Sequence, residues 1–201
     1  MAFSLRTPRL LLREWRDDDR APFARMSEDP AVMEMLLPMI RAASDAWITQ
    51  MQAHCHKHGF CQWAVELPGE VSLIGAVGLI SAVGLSWVPH KTPFTPAVEM
   101  GWRLARPYWG QGYAFEAARA VIDDAFGRIG LDEIVAYTVP ANRRSCGLME
   151  RLGMHRNPNE DFDHPACPEG HPLRRHVLYR LTRQPHTKPA SDCPHTPVSH
   201  S

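Results

Sequence analysis

Residues 98–117, VEMGWRLARPYWGQGYAFEA, decide the fold of this chain. Over 98–104 apolar residues alternate with other residue types, which is the two-residue period of a strand with one buried face. Gly110 and Gly112 then interrupt the pattern, and from Ala114 to Ile129 apolar residues recur at helical spacing. The stretch therefore predicts a strand, a glycine-bearing loop and a long amphipathic helix in direct succession.

A glycine loop that leads into a helix can hold an anion. The first amides of a helix have no partner within the helix, the helix dipole favours negative charge there, and glycines let a ligand approach the backbone. A phosphate or pyrophosphate fits this description, and a tight turn without any ligand fits the same residues. A P-loop is excluded because no lysine lies between Lys91 and Lys188, and a Rossmann site is disfavoured because its third glycine would stand at Phe115.

The rest of the chain predicts one α/β domain with a mixed sheet around that unit. Strands are predicted at 10–15, 61–67, 71–80, 97–104, 134–139 and 176–181, with 83–88 as a continuation of the sheet. Helices are predicted near 18–27, 30–37, 44–58, 114–129 and 142–152, with Ser44 and Asn142 as N-caps and Gly59 as a stop. The domain is expected to span 5–183, and the proline- and histidine-rich segment 184–201 is expected to be a disordered tail.

Composition limits the classes of partner. The 201 residues are 44% hydrophobic, and 22 basic residues balance 22 acidic ones, so nothing favours binding to nucleic acid or to an acidic membrane surface. No apolar run is long enough for a membrane span and the first residues lack a signal-peptide pattern. Five widely spaced cysteines then indicate reduced thiols, and we expect a cytoplasmic protein that is a monomer or a homodimer.

Several motifs, in the order in which they occur, are similar to the GCN5-related N-acetyltransferases (GNAT). They are VEMGWRL at 98–104, YWGQGYAFEA at 108–117, NRRS at 142–145 and MERLGM at 149–154. TPRLLLR at 7–13 resembles the first strand of the RimJ/RimL-like branch, the ribosomal-protein N-terminal acetyltransferase type. The resemblance covers residues 5–183 and implies a mostly antiparallel sheet, flanked by helices and splayed between its two central strands.

The resemblance also implies acetyl-coenzyme A (acetyl-CoA) as co-substrate. Its pantetheine arm would lie along the strand, and its pyrophosphate would lie on the loop amides. The implied cofactor-binding residues are Trp102, Arg103, Leu104, Trp109, Gly110, Gln111, Gly112, Tyr113, Ala114, Asn142 and Ser145. Trp109 departs from the Gln or Arg of the general superfamily loop, so the cradle would consist of backbone alone. The thioester would point into the splay, where an acceptor amine would attack it directly.

Glu99 is the first candidate for a catalytic role. A carboxylate in the middle of a strand is costly to bury unless it is partnered or used, and burial would raise its pKa towards that of a working base. The resemblance places the base at this position, acting directly or through water. The alternative is a half-exposed glutamate paired with Arg103, which lies on the same face of the strand.

Ser145 is the second candidate. It completes an apolar stripe with Leu148, Met149 and Leu152, so its hydroxyl is expected to point inward from the first turn of the helix. The resemblance makes it the polar group nearest the sulfur, because the tyrosine that many members use as an acid is replaced by Met149. A hydroxyl that binds only the local backbone is the alternative.

The predicted activity is acyl transfer from acetyl-CoA to a primary amine of a peptide, a protein N-terminus or a small molecule. A non-catalytic module that senses an acyl-CoA would keep the glycine loop and is the alternative from another class. The histidines and cysteines of 54–61 lack a second ligand pair at zinc-finger spacing, so no metal site is predicted. For Tyr137 and Thr138 core packing is expected, and the acids Glu160, Asp161 and Asp163 are expected either to attract a cationic acceptor or to be balanced by Arg174 and Arg175.

Overall fold

A computed structural model describes residues 3–81 and 92–183. The strands are β1 (Ser4–Arg6), β2 (Leu11–Arg13), β3 (Gln62–Leu67), β4 (Val71–Ser81), β5 (Val98–Leu104), β6 (Glu133–Thr138), β7 (His155–Arg156), β8 (Phe162–Asp163) and β9 (Arg175–Thr182). The helices are α1 (Arg20–Glu28), α2 (Pro30–Met33), α3 (Arg41–His58), α4 (Tyr113–Asp124) and α5 (Arg143–Arg151). The strand predicted at 83–88 and the tail predicted at 184–201 lie outside the described residues.

The strands form one mixed sheet in the order β1-β2-β3-β4-β5-β6-β9-β7, with β8 paired to β9. Antiparallel pairing holds most of it, and β4 and β5 are in register from Gly75 opposite Leu104 to Ser81 opposite Val98. The exception is the central parallel pair β5 and β6, which is joined at Glu99 opposite Val135 alone. The rest of the two strands is not paired with each other, as expected of a sheet that is splayed between its central strands.

Helices cover both faces of the sheet. On one face, Phe23 of α1 stacks on Trp47 of α3 with 4.8 Å between ring centroids, and both rings meet Trp15 edge-on. On the other face α4 contacts β4 and β5, and α5 contacts β6. Along β5 the alternation sorts side chains accordingly, so Arg103 faces α1 whereas Trp102 faces α5. None of the helices within the described ranges is long and apolar enough to cross a membrane.

Three local predictions need correction. The strand predicted at 10–15 is Leu11–Arg13, and β1 was missed because three residues are too short to show a period. The helix predicted to begin at Ser44 begins at Arg41, since the Ser44 amide already donates to the Ile40 carbonyl at 3.0 Å within the first turn. The helix predicted at 30–37 ends at Met33.

Other local predictions are confirmed by backbone geometry. Gly59 ends α3 with a φ of 73°, a left-handed conformation that side chains other than glycine rarely adopt. Asn142 caps α5, because its side-chain oxygen accepts a hydrogen bond from the Ser145 amide at 3.2 Å. These two residues fix the ends of helices on opposite faces of the sheet.

Candidate active site

The glycine loop enters α4 without a capping side chain. Gly110 and Gly112 have φ values of 75° and 82°, and Gly112, the N-cap residue, offers no side chain to the helix amides. The first backbone amide of this turn with an intrahelical acceptor is that of Glu116, which donates to the Gly112 carbonyl at 3.0 Å. The amides before it are therefore available to an anion.

Trp109 anchors this loop to the end of β5. Its indole N–H donates to the Leu104 carbonyl at 2.7 Å, and the Arg144 guanidinium carbon lies 4.6 Å from the centre of the indole ring. Arg9 reaches the loop from the other side, where it donates to the Gln111 carbonyl at 3.0 Å. Arg144 thus adds positive charge beside a loop that has no basic side chain of its own at the position of Trp109, whereas the charge of Arg9 is paired with Glu116 at 2.7 Å.

Glu99 lies where the sheet begins to splay. It is opposite Val135 in the single register pair between β5 and β6, and the Tyr137 hydroxyl donates to one of its carboxylate oxygens at 2.7 Å. Burial raises the pKa of Glu99 to about 7, and the Tyr137 hydrogen bond opposes that rise. Burial and the neighbouring carboxylate raise the pKa of the Tyr137 hydroxyl well above its usual range, so the phenol keeps its proton.

Arg103 does not pair with Glu99. The two residues are four apart in a strand, so their Cα atoms are about 13 Å apart along it. Arg103 instead lies over Phe23 with 5.5 Å to the ring centre, and its Nη1 contacts the Ser27 hydroxyl at 3.3 Å. The alternative of a Glu99–Arg103 ion pair is therefore wrong. Neither side chain neutralises the charge of the other.

Ser145 lies against the opposite face of β5. Its oxygen accepts a hydrogen bond from the Trp102 indole N–H at 3.2 Å, which leaves the hydroxyl proton available to another acceptor. The side chain of Asn142 caps this turn and donates to the Thr138 hydroxyl at 3.0 Å, so the end of β6 and the start of α5 are joined. The inward orientation predicted for Ser145 is confirmed, and its chemical role stays a prediction.

Aromatic rings line the side of the splay next to Glu99. Tyr137 lies 5.8 Å from Phe94 and 5.3 Å from Phe162 between ring centroids, and two histidine rings, His164 and His176, lie within 6 Å of it. The packing expected for Tyr137 is thus present, but its hydrogen bond to Glu99 was missed. The sequence contains one signal for this hydrogen bond. Glu99 lies in the middle of a strand, and no basic residue of that strand is close enough to pair with it, so a partner from another element is required.

The acidic loop is balanced by arginines. Asp163 is bonded to Arg174 at 3.2 Å and to Arg175 at 3.3 Å, whereas Asp161 is paired with Arg156. Glu160 lies 2.7 Å from Arg180. Balance by Arg174 and Arg175 is therefore confirmed for Asp163, whereas Arg156 and Arg180, which were not predicted, balance the other two acids. The loop adds little net attraction for a cationic amine. Within residues 3–81 and 92–183 no group of three or more His, Cys, Asp or Glu residues is placed to hold a metal ion.

Comparison with known proteins decides the family. The Acetyltransferase (GNAT) domain family matches residues 9–155 of the chain. The chain belongs to the GNAT acetyltransferases. It is 30% identical over 151 residues to the uncharacterized protein YkkB of Bacillus subtilis, an alignment that covers 74% of this chain and 83% of YkkB.

Solved acetyltransferases have the same fold. The acetyltransferase from Agrobacterium tumefaciens str. C58 is 27% identical, with a TM-score of 0.69 over 90% of this chain and 95% of its own. The Microcin C7 self immunity acetyltransferase MccE, solved in complex with acetyl-CoA and AMP, is 11% identical, with a TM-score of 0.66 over 88% and 94% of the two chains. As a GNAT member, this acetyltransferase uses acetyl-CoA, and the uncapped start of α4 suits its pyrophosphate.

Proposed function

We propose that this acetyltransferase transfers the acetyl group of acetyl-CoA to a primary amine by direct attack, with Glu99 as the base. The observation that supports the proposal is the position of Glu99 at the splay, with burial raising its pKa to about 7. A base with this pKa is about half ionised at neutral pH and is still basic enough to accept a proton from an amine. A module that only senses acyl-CoA has no need of such a group.

The residues around the splay then have separate tasks. Glu99 takes a proton from the amine, directly or through water, while the new N–C bond forms and the C–S bond breaks. A backbone amide of β5 at 100–103 stabilises the negative charge that develops on the carbonyl oxygen. The Ser145 hydroxyl, whose oxygen already accepts a hydrogen bond from Trp102, donates a hydrogen bond to the leaving thiolate sulfur, which takes its proton from solvent.

The cofactor residues follow from the same geometry. The backbone of 102–104, which is unpaired with β6 beyond the splay, binds the pantetheine arm. The amides from Gly110 to Ala114 bind the pyrophosphate, because the Trp109 amide already donates to the Arg106 carbonyl at 3.2 Å, and Arg144 above the Trp109 ring adds positive charge. Asn142 holds the start of α5 in place next to this arm. The acceptor is a peptide or protein N-terminus, as in the RimJ/RimL-like branch that the sequence resembles, or a small amine.

The test is thiol release from acetyl-CoA over a panel of peptides, polyamines and amino-acid derivatives. Glu99→Gln is expected to lower kcat/KM by about 10²- to 10⁴-fold, the usual contribution of a general base. Acetyl-CoA binding, measured by calorimetry, is expected to stay unchanged. Glu70→Gln is the matched control, because Glu70 is an exposed acid in the turn before β4.

Two results would contradict the proposal. Unchanged turnover in Glu99→Gln removes Glu99 from the mechanism. Acetyl-CoA binding with no acceptor-dependent release across the whole panel favours the sensor alternative. For the wild-type acetyltransferase, kcat/KM is expected to rise with pH through about 7, as Glu99 loses its proton.

A further inference from the structure

Arg103 is a charged residue on the Glu99 face of β5 that has no acidic partner among the described residues. Its guanidinium contacts a hydroxyl (Ser27, 3.3 Å), a thioether (Met39, 3.7 Å) and the face of an aromatic ring (Phe23, 5.5 Å). None of these groups carries negative charge. No ion pair within residues 3–81 and 92–183 includes Arg103.

The uncharged surroundings of Arg103 leave its positive charge without compensation. Removal from water lowers the pKa of its guanidinium to about 10, which shows that the charge is poorly compensated. A partly buried cation without a counter-ion is unfavourable, and an anion that reached it would gain a charge-assisted hydrogen bond. The side chain is only partly buried, and the buried Ser27 hydroxyl beside it offers a second donor to the same anion.

The sheet surface between Glu99 and Arg103 consists of a glycine backbone and a polar side chain. Gly101 lies midway, opposite Gly78 of β4, and the Gln62 side chain covers it so closely that a Cβ at position 101 would lie 2.5 Å from the Gln62 amide nitrogen. An extended ligand that joins Glu99 to Arg103 would therefore pass over the Gln62 side chain and not over bare backbone. One end would reach Glu99 and the other would reach Arg103.

The rim beside Arg103 is apolar. The segment between α2 and α3 carries Met39, which contacts Arg103, and the described residues have three large exposed hydrophobic side chains, all in this segment. They are Leu36, Leu37 and Ile40, which are 37%, 41% and 73% exposed. A ligand that extends from Arg103 across this rim would cover some of that surface.

We propose that Arg103 and Ser27 form an anion subsite for the acceptor, so that the favoured amine carries a carboxylate or a phosphate remote from the reacting nitrogen. This inference rests on the proposed function, because it assumes that the amine reacts beside Glu99. The span from Glu99 to Arg103 is about 13 Å, which corresponds to about three or four extended peptide residues. Length is therefore part of the specificity.

The test compares matched acceptors that differ only in charge. Peptides of about two to five residues are used with a free C-terminal carboxylate and as the C-terminal amide, together with aminoalkyl phosphates of similar span. At saturating acetyl-CoA, kcat/KM for the acid is expected to exceed that for the amide by about tenfold or more, with the largest ratio near three or four residues. Raised salt is expected to reduce the ratio.

Variants assign the preference to the subsite. Arg103→Gln is expected to lower kcat/KM for the acid by about tenfold more than kcat/KM for the amide, and calorimetry of acetyl-CoA binding separates any effect on the cofactor, which contacts only the backbone at this position. Arg25→Gln removes a charge from the exposed side of the same helix α1 and is expected to keep the preference. Phosphate acceptors that respond to Arg103→Gln while carboxylates do not would identify the anion as a phosphate.

Failure of the subsite can be told apart from failure of the proposed function. Equal use of acids and amides by the wild type, or an equal loss on both in Arg103→Gln, overturns the inference and leaves the transferase activity in place. If no amine in any series is acetylated, calorimetry on the acetyl-CoA-bound protein decides the inference. Tighter binding of the acid by about tenfold that Arg103→Gln abolishes supports it, and equal or undetectable binding of both overturns it.

Discussion

Two arginines lie in one cross-strand row of the sheet and have opposite surroundings. Arg13 of β2 is opposite Ala64, Ala64 is opposite Ala76, and Ala76 is opposite Arg103 of β5, so both arginines point to the same face. Arg13 is 4% exposed and is held by Asp19 at 2.7 Å and Glu66 at 2.6 Å. Arg103 instead contacts the hydroxyl of Ser27, the thioether of Met39 and the ring of Phe23.

The difference separates a structural charge from one that is open to a ligand. The two carboxylates raise the pKa of Arg13 in spite of its burial, whereas burial without them lowers the pKa of Arg103. The buried guanidinium of Arg13 is therefore neutralised by carboxylates of the protein itself. Among the described residues neither Glu99 nor Arg103 of β5 has a partner of opposite charge, and the acceptor is proposed to lie on this face.

The largest expected effect comes from making Arg13 resemble Arg103. Asp19→Ala leaves the buried guanidinium with one carboxylate and also removes the acceptor of the Arg16 amide. We expect a loss of about 3–5 kcal/mol in the free energy of unfolding, measured by urea titration. Asp18→Ala, at the exposed neighbouring position, is expected to change that free energy by no more than about 0.5 kcal/mol. Equal losses in the two variants would show that Arg13 does not depend on its partners.

The second effect is a gain in the free energy of unfolding when Glu99 of β5 is replaced by glutamine. Folding raises the pKa of Glu99 from 4.5 to about 7, so the folded protein holds this proton to higher pH than the unfolded chain does. Stability is therefore lost as the pH rises from about 4.5 to 7, and the full cost is present above 7. Glu99→Gln has no such cost. It is expected to be more stable than the wild type by about 1–3 kcal/mol at pH 8, with the difference vanishing near pH 4. A difference that does not depend on pH would contradict this assignment.

The third effect concerns the hydrogen bond from Tyr137 that lowers the pKa of Glu99. Tyr137→Phe removes the donor to the carboxylate, and the acid limb of the kcat/KM profile is expected to move upward by about one pH unit. The rate on the plateau is expected to remain. Tyr179→Phe is the matched control, since the Tyr179 hydroxyl donates to Glu150 instead. An unchanged midpoint in Tyr137→Phe would mean that the profile reports another group.

How much of this was predictable depends on how far apart in sequence the contacts are. The alternation over 98–104 and the Asn142 cap are local patterns, and both the strand β5 and the start of α5 are where the sequence predicts them. Ser44 shows the limit of a local rule. It is a favoured capping residue, but the chain enters α3 one turn earlier, and its buried hydroxyl has no hydrogen-bond partner among the described residues.

Partners across the sheet could not be predicted in this way. The Tyr137–Glu99 bond joins residues 38 apart through the register of a parallel pair, and no local pattern fixes that register. The pairing of Glu99 with Arg103 was attractive because both lie on one face, and it fails because strand spacing keeps them apart. The contrast between Arg13 and Arg103 likewise depends on where Asp19 and Glu66 are placed by tertiary structure.

The smallest expected effect is the most direct test of the comparison. Arg103→Met exchanges a cation without a counter-ion for an apolar side chain of similar length, among Phe23 and Met39, which pack well against a thioether. The lost contact with the ring and the relieved desolvation oppose each other, so the free energy of unfolding is expected to change by less than about 1 kcal/mol. The same exchange at position 13 leaves Asp19 and Glu66 uncompensated and is expected to cost about 3–5 kcal/mol. Urea titration of both variants checks the contrast. If Arg103→Met costs as much as Arg13→Met, then Arg103 stabilises the fold, and its lack of an acid would no longer point to a ligand.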